Sequence, residues 1–301
     1  MSKDKNQQSA QITGHTWDGD LQEFNNPLPR WWLWAFYATI VFAVVYWFLY
    51  PTLPIGRDYT KGLNKITYTT ADGKTVTTHW NTRAVFMKEM EEARKKQAVY
   101  LKKLAKASYE DIAKDPKLSA FVFSRAKVLF ADNCAPCHQR GGNGKLGEFP
   151  NLLDDSWLWG GTFADIQQTI TNGRHGHMPA WKGKLSEQQI SDVVEYVLSL
   201  SGEPVNADKA AKGKTVFMKN CAVCHGPDGK GQKFLGSANL TDKIWTIAKV
   251  PLANTLDGKR NAVRYVVENG KSRTMPSWKG RLSPTEIKIL TYYVHELGGG
   301  Q

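Results

Sequence analysis

The sequence predicts a mainly α protein with one membrane-crossing helix, a linker and a single helical module used twice. Three observations carry that reading. Trp31–Tyr50 is a run of twenty residues without a charge. The pattern Cys-x-x-Cys-His occurs at Cys134–His138 and again at Cys221–His225, and it consumes all four cysteines. The residues around each pattern repeat one another over most of the last 184 positions (118–301).

Composition sets the frame. The chain has 301 residues, 41% hydrophobic and 23% charged, as expected of a globular protein of two or three domains. Its net charge of +12 is uneven. Residues 1–50 and 118–202 each carry −1, residues 51–117 carry +6, and residues 203–301 carry +8. The basic residues are scattered and no DNA-binding motif accompanies them, so nucleic acid is not an expected partner.

Residues 1–30 form a polar tail, in which 1–16 are expected to be unstructured. Pro27 and Pro29 oppose a regular helix just before the span. Residues 31–50 then cover roughly 30 Å at helical rise, the thickness of a bilayer core. Trp31, Trp32 and Trp34 crowd one end, and Tyr46, Trp47 and Tyr50 the other, as an interfacial aromatic belt would. Pro51 and Pro54 stop the helix. A buried core helix would not need the two belts. A cleaved signal peptide would need a small-x-small site, and Pro51-Thr52-Leu53-Pro54 has none. Lys and Arg flank both ends, so charge does not decide orientation.

Residues 51–117 read as a linker with a hairpin and a helix. β-prone runs at 66–70 and 75–80 flank Ala71-Asp72-Gly73-Lys74, a turn signal. Residues 83–106 have a helical pattern that is polar over most of its surface, as on a helix that is solvated or lies on another subunit. Met87, Met90 and His79 are expected to pack rather than ligate. Glu110 and Asp111 lie on the approach to the first module.

The modules are assigned to 118–202 and 203–301. Phe130 precedes Cys134 as Phe217 precedes Cys221. Asn151-Leu152 and Trp157 recur as Asn239-Leu240 and Trp245. Met178-Pro179-Ala180-Trp181-Lys182-Gly183 recurs as Met275-Pro276-Ser277-Trp278-Lys279-Gly280. Such coherent self-similarity means one fold used twice. In each copy a helix leads into the cysteines, a Gly-rich loop follows, a middle helix (163–172; about 259–269) precedes the methionine, and Ser186 or Ser283 caps a closing helix. Tyr196 and Tyr293 are expected to pack each closing helix on the first helix of its own copy, near the small residues Ala126 and Gly213.

Cys-x-x-Cys-His is the attachment pattern of c-type haem. Two thiols add to the porphyrin vinyl groups, and the following imidazole lies under the iron as axial ligand. A single match could be a zinc half-site. Two matches that use every cysteine point to two covalently bound haem c groups on Cys134 and Cys137, and on Cys221 and Cys224, with His138 and His225 as axial ligands. Met178 and Met275, in the same repeated string, are the expected sixth ligands. A thioether favours ferrous iron and raises the potential, and a closed six-coordinate iron suits electron transfer. His175 and His177 flank Met178, and His177 is the competing ligand. Met218 lacks a clean counterpart and is expected to pack. Trp157, Trp181, Trp245 and Trp278 either line the haem crevices or bond propionates, or simply pack.

Each module resembles a class I cytochrome c domain. With Asn25-Asn26-Pro27-Leu28-Pro29-Arg30-Trp31-Trp32 leading into a single span, the whole chain resembles the dihaem subunit, subunit III, of cbb3-type cytochrome c oxidase. The resemblance implies one transmembrane helix followed by two tandem class I cytochrome c domains. It implies an electron relay from a soluble or membrane cytochrome c towards the monohaem subunit and the haem–copper catalytic subunit, where dioxygen becomes water with proton pumping. By that analogy Cys134, Cys137, His138 and Met178 hold one haem, and Cys221, Cys224, His225 and Met275 the other. The subunit itself would carry no catalytic residues. In a bacterium, haem c attachment is periplasmic, which implies a single-pass inner-membrane protein with a cytoplasmic amino terminus and periplasmic modules. Two other functions fit less well. A dihaem peroxidase would need an open iron, whereas both copies offer Met-Pro in register. A tethered dihaem cytochrome could serve a quinol–cytochrome c reductase or a dehydrogenase. The basic second copy is an expected docking face for an acidic donor, unless its lysines face anionic neighbours in a complex.

Overall fold

A computed structural model describes residues 11–298 and divides the chain into two compact units, Met1–Ala98 and Val99–Gln301. In the first unit the chain forms a hairpin before the span. Strands β1 (Ile12–Trp17) and β2 (Leu21–Phe24) pair antiparallel. The expectation of an unstructured tail is thereby corrected for 12–16, while residues 1–10 lie outside the described ones. The turn between the strands puts Asp18 and Gly19 at positive φ, where Asp and Gly are the tolerated residues.

Helix α1 (Arg30–Leu49) is the apolar run, shifted by one residue, and none of it is buried. Trp32 stacks on Phe36 near its start and Tyr46 on Tyr50 near its end. Its exit is fixed by backbone bonds: Leu63 N–H donates to the Phe48 carbonyl and Asn64 N–H to that of Leu49, both at 3.0 Å. Gly62 makes this approach possible. Its φ is +72°, and a Cβ there would lie 2.5 Å from the Leu49 oxygen.

A two-residue pair, β3 (Pro54–Ile55) with β4 (Asp58–Tyr59), precedes the expected hairpin, β5 (Lys65–Thr69) with β6 (Thr75–His79). Thr67 and Thr77 face each other and share a 2.9 Å hydrogen bond. Helix α2 (Thr82–Lys106) docks its first half on that hairpin. The Thr69 N–H donates to Glu91 at 2.9 Å, and Arg94 donates to the Thr69 carbonyl at 3.0 Å. Lys95 and that N–H hold the Glu91 carboxyl down at about 2. His79 meets the Tyr59 hydroxyl at 3.2 Å.

The second unit holds both repeats. Helix α3 (Tyr109–Lys114) starts in a capping box between Ser108 and Asp111. Helix α4 (Pro116–Asn133) is capped by Asp115, which also pairs with Lys103. One turn, α5 (Ala135–His138), carries the first motif. Helix α6 (Phe163–Asn172) leads into β7 (Arg174–Met178), and α7 (Glu187–Leu200) follows the Ser186 cap. The second copy contributes α8 (Ala207–Asn220), α9 (Ala222–His225), α10 (Leu256–Asn269), β8 (Lys271–Met275) and α11 (Pro284–His295).

The copies do not close on themselves. One core joins α4 and α6 to α11, through Val122, Ala126, Phe130, Ile166, Leu290 and Tyr293. The other joins α8 and α10 to α7, through Val193, Val197, Leu198, Phe217, Val263 and Val267. The expected packing of Tyr196 near Ala126 and of Tyr293 near Gly213 is therefore wrong. Tyr196 lies 5.2 Å from Phe217, and Tyr293 lies 5.5 Å from Phe130.

Two features cause the exchange. After α6 and α10 the chain does not turn back. Instead β7 and β8 pair antiparallel, with Gly176 opposite Arg273 and Met178 opposite Lys271, so each methionine strand crosses to the other copy. The connection from α7 to α8 is also short, which favours antiparallel neighbours. Gly213 then lets α8 come close to α7, since a Cβ there would lie 1.9 Å from the Asp192 oxygen. Gly176 and Arg273 are equivalent positions in the two repeats, so the crossing has local two-fold character, as in a domain-swapped dimer.

Candidate haem sites

Each Cys-x-x-Cys-His motif sits on one helical turn at the end of a long helix. The turn begins at Cys134 or Cys221, whose N–H donates to the carbonyl of Phe130 or Phe217 at 2.8 Å. It ends where Gln139 and Gly226 take positive φ. Two thiols and an imidazole are thus presented on one short arc. Cys134 and Cys221 are half-buried, while Cys137 and Cys224 are exposed. Burial pushes the Cys134 and Cys221 thiols up to about 11, with a smaller contribution from the neighbouring cysteine.

The histidines are oriented in the same way. His138 Nδ1 lies 3.1 Å from the Pro150 carbonyl oxygen, and His225 Nδ1 lies 3.0 Å from that of Ala238. A carbonyl only accepts, so Nδ1 carries the proton and Nε2 keeps its lone pair for a metal. Burial pushes both imidazoles below the ordinary histidine range, although the carbonyl bond opposes this, and so favours the neutral ligand form.

The loops that hold those carbonyls depend on glycine. Gly144 N–H donates to the His138 carbonyl and Gly231 N–H to that of His225. A Cβ at either glycine would lie 2.3 Å from a backbone oxygen, of Pro150 or of Ser237. The repeated asparagines act next to them: Asn151 accepts from Leu153 N–H and Asn239 from Thr241 N–H.

Strand alternation places Met178 on the half-buried face of β7 and His175 and His177 on its exposed face. His175 bonds to Thr274 at 2.9 Å. Met275 packs against the core that also contacts Cys134 and Trp157. Trp278 joins it there, its backbone N–H donating to the Ile170 carbonyl of α6 at 3.1 Å. Trp181 does the reverse, donating to the Val267 carbonyl of α10 at 3.0 Å and packing on the core that contacts Cys221 and Trp245. The chain just after each methionine thus lies on the other repeat, Trp278 against the core of Cys134 and Trp181 against that of Cys221. Met218, expected to pack, is 46% exposed.

Does this arrangement suit a haem? The donor set of each site is two thiols, one imidazole with a free Nε2, and a thioether, which is soft-ligand chemistry for haem iron. No group of three or more His, Cys, Asp or Glu converges on a point among the described residues, as a zinc site would require. Among the described residues, four buried side-chain polar atoms have no hydrogen-bond partner: Trp157 Nε1, Thr246 Oγ1, and Nε and Nη1 of Arg273. Such atoms are costly unless something completes them. Three are donors and the fourth is a hydroxyl, a set that matches the carboxylates of haem propionates. Arg273 and Thr246 escaped the sequence reading. Their one signal is that they break the repeat, where Gly176 and Leu158 stand in the first copy.

Comparison with known proteins agrees with this picture. Residues 9–57 match the family described as the N-terminal domain of cytochrome oxidase-cbb3, FixP. Residues 122–197 and 208–294 each match cytochrome c oxidase, cbb3-type, subunit III. The chain is 47% identical to a cbb3-type cytochrome c oxidase subunit FixP of Azorhizobium caulinodans, over 96% of this chain and 93% of that one. It is 41% identical to the FixP subunit of Bradyrhizobium diazoefficiens and 39% identical to the CcoP subunit of Cereibacter sphaeroides, in each case over 96% of this chain and 95% of the relative. The family implies binding of haem c, and the apolar helix near the amino terminus fits a membrane anchor. Tandem cytochrome modules behind one such helix, matched along nearly the whole chain, mean that this protein belongs to the cbb3-type cytochrome c oxidase subunit III family.

Proposed function

We propose that this chain binds two covalent haem c groups and relays electrons from a cytochrome c donor towards the haem–copper and monohaem subunits of a cbb3-type oxidase. The observation that carries the proposal is the paired site itself: in both repeats the motif histidine is locked through Nδ1 to a backbone carbonyl, leaving Nε2 free for iron. Bound haem supplies a one-electron carrier whose potential is raised by a thioether ligand.

The protein's own residues do the rest. Cys134 and Cys137, and Cys221 and Cys224, tether the two groups. His138 and Met275 would hold the first iron, and His225 and Met178 the second, a pairing supported by the crossing of the methionine strands and by Met275 packing on the core that contacts Cys134. With a histidine and a methionine both given to each iron, neither haem would bind substrate, and dioxygen chemistry would fall to another subunit. The crossing also brings both sites into one compact unit, which suits transfer between them. Helix α1 spans the inner membrane, with residues 1–29 in the cytoplasm and both sites in the periplasm.

Purification in detergent from a host that matures c-type cytochromes tests this reading. The chain should stain for covalent haem on a denaturing gel, at two haems per chain, and should co-purify with haem b and copper. A colourless chain, or one that travels with a quinol–cytochrome c reductase instead, overturns it.

A further inference from the structure

Arg273 is the one described guanidinium with two buried nitrogens left unpaired. Its Nε and Nη1 have no partner, and its Nη2 donates to the Thr246 carbonyl at 2.8 Å. The Thr246 hydroxyl is also buried and unpaired. A buried cation without an anion is strongly destabilising, so the fold implies a negative group at this spot.

Position says which group. Arg273 sits at the centre of the β7–β8 crossing, opposite Gly176, whose missing side chain leaves room beside it. Thr246 follows Trp245, which packs on the core that contacts Cys221. Trp157, the counterpart of Trp245, packs on the core that contacts Cys134, and its own Nε1 is unpaired. The indole stands in the Cys134 compartment, while the guanidinium and hydroxyl sit beside the Cys221 one through Trp245, at a seam where the Gly147 N–H of the first copy also reaches the Thr246 carbonyl at 3.3 Å.

Resting on the haem reading above, we propose that Arg273, assisted by the Thr246 hydroxyl, binds a propionate carboxylate of the haem attached at Cys221 and Cys224. Trp157 takes that role for the haem attached at Cys134 and Cys137. Arg273 is a positioning residue with an electrical consequence. A fixed cation near a haem favours the reduced state, which carries one positive charge fewer. No cation stands at the matching positions of the other copy, which hold Gly176 and Leu158. The asymmetry biases electrons towards the Cys221 haem.

Redox titration of the full-length dihaem protein in detergent tests this. Arg273→Gln should lower the reduction equilibrium of one haem about tenfold, roughly 59 mV for one electron, and leave the other nearly unmoved. Arg273→Lys should retain most of the wild-type potential, because the charge remains. Thr246→Val, a milder change, should move the same wave by less. Trp157→Phe should move the other wave, and the Trp157→Phe, Arg273→Gln double variant should show both shifts. Equal effects of Gln and Lys at 273 would mean a merely structural role and overturn the assignment. So would two unmoved waves at full haem load, or Arg273 and Trp157 moving the same wave. A wild-type chain without covalent haem would overturn the functional reading as well, which haem staining shows directly.

Discussion

The Cys134 and Cys221 compartments are built from repeated sequence, yet their closing helices are held by different chemistry. Around α11, in the Cys134 compartment, the contacts are aromatic. Phe163 stacks on Tyr109 at 4.3 Å, on His295 at 3.7 Å and on Tyr292 at 6.0 Å, and Phe123 meets Tyr292 and Tyr293 edge-on. A long ion pair, Arg125–Glu286 at 3.7 Å, accompanies them. Around α7, in the Cys221 compartment, one aromatic pair, Tyr196–Phe217, is joined by an ionic network. Arg260 bonds to the buried Glu195 at 2.7 Å, and Glu195 also accepts the Asn206 N–H at 3.1 Å. Arg264 and Lys259 add bonds to Glu187 and Glu203. The repeat thus preserves the parts that hold a haem, and leaves free how each lid is fastened.

The largest expected effect is all-or-none and concerns the crossing itself. With Cys134 and Cys137 both changed to Ser, one haem remains, attached at Cys221 and Cys224. Its ferric thioether charge-transfer band should survive Met275→Ala and vanish with Met178→Ala. The opposite pattern would mean that each copy supplies its own methionine. Next in size is the aromatic fastening. Tyr293→Ala removes a buried ring from α11 and should cost about 3 kcal/mol, with faster amide exchange in 116–133 and little change in 207–220. Faster exchange in 207–220 instead would contradict the exchanged closure. The ionic fastening comes last. Glu195→Gln removes the buried one of Arg260's two carboxylate partners, leaving the exposed Asp257, and should cost about 2 kcal/mol, confined to the Cys221 compartment and shrinking as salt is raised. An equal loss in both compartments would remove the contrast between them.

How far these features could be read from residues alone depends on how local they are. Helix α1 was legible because uncharged length and aromatic ends need no partner to recognise. The β5–β6 hairpin was legible because Asp72-Gly73 suits a turn whose glycine takes a φ of +83°. The Ser186 and Ser283 caps were legible too, each bonding within its own first turn. The β1–β2 hairpin was missed because polar residues mask a turn at Asp18-Gly19. The methionine strands were missed because β7 and β8 are short and each finds its partner in the other repeat. The unpaired donors of Arg273 and Thr246 have no sequence pattern at all, since their meaning lies in burial without a partner.

The sequence by itself determined the two haem-attachment motifs, the histidines, the repeated methionine strings and the single apolar span. Each is written in residues adjacent along the chain, whose chemistry needs only its own neighbours. Only the tertiary structure decided which closing helix covers which core and that the two methionine strands pair with each other. Both repeats offer α7 and α11 nearly the same apolar face, so local pattern is satisfied by either partner. The choice falls to non-local terms: the antiparallel pairing of β7 with β8, the short link from α7 to α8, and the bare backbone at Gly213 where Ala126 carries a methyl group.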